Sequence, residues 1–223
     1  MNFHLQIELS EKLYVRNPVE TDLGKKILKN SIILIHEIGI EAFTFKKLSV
    51  LINTTEASIY RYFENKQLLL LYLVDWFWAW QEYRIQYKTT NIDDNLKKLN
   101  IIMDILCTPV IDDESSPFID EKLLFDIVVR DGTKTFLTTS VTAFNNSKLF
   151  KPYKDLSLSV AAIISAYRPK YQFPNSLAST IIELSHLQFF YEKNLPTLTD
   201  FNSKTKNYSV RSFIENLVFS SLK

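Results

Sequence analysis

The 223-residue sequence predicts an all-α fold, with a small N-terminal three-helix domain followed by a larger helical one. Along most of the chain apolar residues recur three and four positions apart, the spacing of a buried helix face. Only 3 glycines occur, too few for sharply turned β architectures or phosphate-cradling loops. Hydrophobic residues make up 46% of the chain and aromatics 13%, enough to bury a sizeable core.

The elements follow in order. Phe3, Leu5, Ile7 and Leu9 alternate with polar neighbours, which predicts a short extended arm. The arm can reach a DNA minor groove or pack against protein, and the lack of Arg or Lys before Lys12 favours packing. Asn17 and Pro18 suit the cap and first position of helix 1, Glu20 suits its positive end, and Gly39 suits its stop. Thr44 caps a short second helix from Phe45 to about Ile52, and Asn53 stands where a left-handed reversal is needed. Thr55 caps a third helix with Ile59, Tyr62 and Phe63 on its apolar side. Its other side shows Glu56, Ala57, Ser58, Tyr60 and Arg61, small and polar residues suited to a major groove. This is a helix-turn-helix pattern.

A fourth helix should start near Asn65–Lys66 and run to about Tyr87, with Tyr72, Trp76, Trp80, Tyr83 and Tyr87 along one face. A fifth is capped by Asp93 or Asp94 and ends before Pro109, and a sixth spans Phe118–Val129 behind the acidic loop Asp112–Ser116. Residues 131–151 read as a loop with a helical piece. Further helices are expected at about 154–167, 175–192 and 208–222.

The run Thr44-x3-Leu48, then Ser58-Ile59-Tyr60-Arg61-Tyr62-Phe63-x2-Lys66-x2-Leu69, resembles the signature of TetR-type transcriptional regulators. The resemblance covers roughly residues 18–70 and implies a reading head at 1–66 and a helical ligand-binding and dimerisation domain at 67–223. It implies that Thr44, Tyr60 and Lys66 hold phosphates and that Lys46 or Lys47 reaches a base edge or phosphate. Thr55, Glu56, Ala57 and Ser58 would form the first turn of the recognition helix, with Arg61 and Tyr62 farther along. Glu56 departs from the cations or Gln more usual in that turn; a carboxylate can accept from cytosine N4 but repels phosphate. Lys46, Lys47, Arg61 and Lys66 stand against Glu56 and Glu64 here, a modest footprint within a net charge of +1.

Behind the head, the rings of Trp76, Trp80, Tyr83 and Phe125, with His186, can line a pocket for a small apolar or aromatic effector, or simply fill a core. Leu177, Ile181, Leu184, Phe213 and Leu217 lie on broad apolar helix faces that can pair with a second copy as a four-helix bundle. The expected partners are operator DNA, a second copy and that effector. The same fold without a small ligand, and an all-α lipid-binding protein unrelated to DNA, are the alternatives. No nucleophile elbow, Gly-rich phosphate loop or metal-ligand spacing occurs, so no enzyme, cofactor or metal is expected. One cysteine, no signal peptide and no membrane-length apolar run point to the cytoplasm.

Overall fold

A computed structural model describes residues 7–110, 117–201 and 208–223; the acidic loop and the first half of the arm lie outside these. The described residues form α-helices and short 3₁₀ turns, with no strand. No helix is long and apolar enough to cross a membrane among the described residues.

The chain divides into two compact units: Met1–Phe77 with Val110–Lys151, and Trp78–Pro109 with Pro152–Lys223. In the first, α1 (Asp22–Ala42), α2 (Phe45–Leu51) and α3 (Glu56–Tyr60) lead into α4 (Lys66–Thr89), and α6 (Glu121–Asp131) packs on α1. A 3₁₀ turn at Gly132–Thr135 and α7 (Val141–Asn146) occupy the stretch expected to be a loop with a helical piece. The second unit holds the rest of α4, α5 (Asn95–Leu106), α8 (Lys151–Tyr167, from its second residue), α9 (Pro174–Asn194) and α10 (Val210–Ser221).

Helix boundaries follow local chemistry, with two corrections. Asn17 and Pro18 open a 3₁₀ turn, Pro18–Glu20, in which the Asn17 side chain accepts from Val19 N at 3.2 Å. Helix α1 starts later, capped by Thr21, whose hydroxyl accepts from Gly24 N at 3.0 Å. The turn presses so closely on α1 that a Cβ on Gly24 would meet Pro18 O at 2.2 Å, so only glycine fits there. Likewise α6 starts at Glu121, not Phe118, because Asp120 is its cap and accepts from Leu123 N at 2.8 Å.

Gly39 breaks α1 near its end with φ 77° and ψ 158°, a conformation natural only to glycine. Ile27, Leu28, Ile32 and Ile35 from α1 meet Phe43, Leu48, Ile59 and Phe63 in the buried core of the head. Each residue of α4 from Leu69 to Trp78 is buried, as its nearly all-round apolar sequence predicts, and the carboxyl of Asp75 is buried among them. In the second unit, Leu99 and Met103 of α5, Val160 and Ile164 of α8, Ile181 and Ile182 of α9 and Ile214 and Val218 of α10 are buried.

A candidate nucleic-acid interface

The outward edge of α3 is built from two caps and one reversal. Thr44 accepts from Lys47 N at 3.2 Å and starts α2; Asn53 turns the chain with φ 52°; Thr55 accepts from Ser58 N at 3.2 Å and starts α3. Thr54 N closes the turn on Ser49 O at 2.9 Å. Ile59 is fully buried and Ile52 nearly so, which anchors α3 from behind and leaves the opposite side facing out. There Thr55, Ala57, Tyr60 and Arg61 are exposed, with Glu56 and Ser58 half-buried. The Thr55 and Ser58 hydroxyls lie 2.8 Å apart, which orients both. The Tyr60 ring stands edge-on to Phe45 at 5.0 Å and stays 48% exposed, so its hydroxyl is free to point outward from a braced ring.

Two expected members of this edge lie elsewhere. Tyr62 is only 3% exposed; its hydroxyl is 2.7 Å from Thr21 Oγ1, and the Arg16 guanidinium sits 5.7 Å from its ring centre. It joins α3 to the start of α1 and offers nothing to a groove. Lys66 is turned inward: its ammonium donates to Ile40 O, Glu41 O and Phe43 O at 2.9, 3.0 and 3.2 Å. All three of its donors are engaged in closing the end of α1, so holding a phosphate would require breaking that cap. Lys46 and Lys47 are both exposed, and the Lys47 ammonium donates to Ala42 O at 2.8 Å on the surface.

Sequence reasoning missed Lys26, which closes the end of α2 through Ile52 O at 2.8 Å, and the α6 residues that secure α1. Arg130 donates to Ile35 O at 2.7 Å and His36 O at 3.2 Å, just before the Gly39 break. His36 Nε2 lies 3.1 Å from Asp126 Oδ2, and Lys134 bonds Asp131 at 2.7 Å and also Glu41. The bond from Lys134 holds the Glu41 carboxyl below the usual carboxylate range. The available signal was the run Asp126–Lys134 of alternating charge in an amphipathic helix, but its partners lie some ninety residues away.

The aromatic residues expected around an effector are split between the units. Trp76 and Phe125 are buried in the first, where Phe125 packs on Phe77 at 6.2 Å. In the second, Trp80 is buried with the Arg84 guanidinium 4.6 Å from its ring centre. Tyr83 departs from the buried face: it is 44% exposed and stacks on Tyr87 at 6.0 Å, since α4 loses its cover toward its end. His186 stands edge-on to Trp78 at 5.0 Å, and Tyr153 also stands edge-on to it at 5.3 Å. Nδ1 of His186 is 2.8 Å from Ile182 O, so that nitrogen carries the proton, and burial pushes its pKa down to about 4. Tyr153 is hydrogen-bonded to Glu183, whose carboxyl is raised by burial. A buried ring cluster thus carries three polar groups.

On the faces expected to pair with a second copy, Leu177 is 6% and Ile181 1% exposed, so both belong to the chain's own core. Leu184 and Leu217 are half-buried and Phe213 is 40% exposed, which leaves these open to a partner, as is Leu187 of the same apolar face, at 43%.

Residues 27–73 match the family described as bacterial regulatory proteins, tetR family. Among curated proteins no sequence matches the chain. Among solved structures it is similar to AibR in complex with isovaleryl coenzyme A and operator DNA, at 14% identity and TM-score 0.58, over 89% of this chain and 98% of that one. The fatty acid degradation regulator FadR from Bacillus halodurans is similar at 14% identity and TM-score 0.58, over 97% of each chain. The TetR family regulator PfmR from Thermus thermophilus follows at 15% identity and TM-score 0.54, over 88% of this chain and 96% of that one.

Proposed function

We propose that this chain, a DNA-binding transcriptional regulator of the TetR type, acts as a ligand-responsive homodimeric repressor, with residues 1–66 as reading head and 67–223 for effector binding and dimerisation. The observation that carries the reading is the outward edge of α3. It presents Thr55, Glu56, Ala57, Ser58, Tyr60 and Arg61 on a helix capped, turned and anchored by residues that face the other way. Lys46 and the free N–H groups at the starts of α2 and α3 add phosphate contacts, with Thr44 beside them. A single head makes too few contacts for a useful specificity ratio. A dimer through Leu184, Leu187, Phe213 and Leu217 doubles them, with recognition helices about 34–36 Å or a multiple apart.

The effector site we assign to the second unit, around Trp78, Trp80, Tyr153, Glu183 and His186, where rings supply apolar cover and three polar groups can orient a ligand. The relatives of known structure support this reading, since AibR was crystallised with both a ligand and operator DNA. An effector that binds two states unequally would shift the heads, through α4, away from the DNA-competent spacing. A chain without an effector would instead show the same DNA affinity whatever is added.

The test is retardation of fragments from the chain's own upstream region, titrated with salt. A specific, salt-dependent complex of two chains per site is expected. A chain that retards no fragment more strongly than random DNA would sink the proposal. Glu56→Gln should then raise affinity several-fold by removing a carboxylate near phosphate, and should relax selection at the base pair facing position 56, by roughly 1–3 kcal/mol if Glu56 reads a cytosine. Identical affinity and identical site selection would remove Glu56 from the interface.

A further inference from the structure

We infer that the chain carries a binding site for a small organic polyammonium ion, in a cleft where the second half of the N-terminal arm and the turn before α1 meet α4. The cleft has a volume of about 270 Å³ and its walls include Glu8, Glu11, Glu20, Asn17, Tyr14 and Tyr72. Among the described residues none of the three carboxylates takes part in an ion pair. They converge on one point: the Tyr14 phenol is harder to ionise than usual, first through burial and then through the negative charge of Glu11, Glu20 and Glu8.

A second, independent feature marks the floor. Tyr72 is only 2% exposed, and its hydroxyl has no hydrogen-bond partner among the described residues. Tyr72 lines the cleft, so its hydroxyl is available there to accept from a ligand N–H. Its ring is fixed edge-on between Tyr14 at 6.1 Å and Phe63 at 5.5 Å, so the hydroxyl cannot swing away to find a partner. Asn17 donates to Glu20 Oε1 at 3.0 Å, which holds that carboxylate in place and leaves its second oxygen for the occupant.

The chemistry selects the class of ligand. Among the described residues no group of three or more His, Cys, Asp or Glu is arranged to hold a metal ion, so the charge is spread too widely for one compact cation. Several ammonium groups joined by methylenes match spread carboxylates, and their CH₂ segments match the half-buried phenol ring of Tyr14 in the cleft wall. The volume is below the roughly 300–1,000 Å³ of sites for drug-sized ligands, as suits a thin chain. The site is fastened to the reading head: Val15 N donates to Tyr62 O at 2.8 Å, next to Tyr14 in the chain. An occupant would therefore hold the arm against the base of that head.

Isothermal titration calorimetry of the full chain with spermidine, in about 0.15 M NaCl to screen diffuse attraction, tests this without DNA. Saturable binding of one spermidine per chain is expected. Glu8→Gln/Glu11→Gln/Glu20→Gln should weaken it roughly tenfold, and Tyr72→Phe, which keeps the ring, roughly threefold. The three carboxylates are on the surface, so that variant keeps its fold, checked by circular dichroism, and decides the matter even if Tyr72→Phe does not. Heat that never saturates, equal binding by the triple variant, or full displacement by MgCl₂ at matched ionic strength would each overturn the assignment. Because no DNA is present, none of these outcomes bears on the regulator reading.

Discussion

Tyr60 and Tyr62 are two residues apart and chemically the same, yet the fold gives them opposite tasks. Tyr60 is braced by Phe45 with its hydroxyl outward, while Tyr62 is buried and bonded to Thr21. Helical spacing already sets Tyr62 with Ile59 and Phe63 on the apolar side and Tyr60 on the outward one, and only the family resemblance carried Tyr62 to the groove. What the spacing could not show is the partner of Tyr62, 41 positions earlier. Removing each hydroxyl should therefore have distinct effects. Tyr60→Phe should leave stability within about 0.5 kcal/mol and, on the proposed reading, weaken DNA binding several-fold by deleting the phosphate contact proposed for it. Tyr62→Phe should cost about 1 kcal/mol of stability through the lost buried bond, with DNA affinity of the folded protein nearly unchanged. Paired urea melts and retardation titrations check this, and the assignment is wrong if Tyr62→Phe instead weakens DNA binding without loss of stability.

Helix starts and stops were largely legible where the signal is local. Thr44, Asn53, Thr55 and Asp94 occupy the positions that short-range chemistry assigns to them, because a cap binds a backbone group within three residues of itself. Asn17 and Thr21 show the limit of that logic: two good caps lie four residues apart, and the chain uses both, one for a 3₁₀ turn and one for α1. Helix ends held by long side chains were illegible, since Lys26, Lys66 and Arg130 reach carbonyls distant in sequence. Lys66 is the instructive case, a cation at a motif position associated with phosphate whose donors close α1 instead. Lys66→Met should lower stability by about 2 kcal/mol, because three carbonyls lose a charged donor, and should leave the salt dependence of DNA binding unchanged. Lys46→Ala should do the reverse, lowering the slope of log affinity against log salt by about one per head with no change in melting. A Lys66→Met protein that melts normally but binds with the smaller slope would show that the ammonium leaves its cap for DNA.

At the scale of the whole molecule, several buried titratable groups shape the response to pH, among them His186, Asp75 and Glu183. His186 sits in the second unit, its pKa driven from 6.5 to about 4 by burial. Between those values the unfolded chain binds a proton that the folded one refuses, so stability falls as the solution is acidified through that window. Asp75, buried in α4, works the other way: burial raises its carboxyl well above the usual range, and its contribution is present in acid and lost as pH rises. The two oppose each other, so the wild-type profile alone does not isolate either. Comparison with His186→Gln does, because the substitution removes one titration and keeps Asp75. Between pH 7 and pH 5 the wild type should lose about 2 kcal/mol more unfolding free energy than His186→Gln, the value set by a single proton taken up in the unfolded state. Chemical denaturation at the two pH values measures it. An equal loss in both proteins would mean that the ring is protonated in the folded state, and the neutral imidazole assigned to the effector site would have to be replaced by a cation.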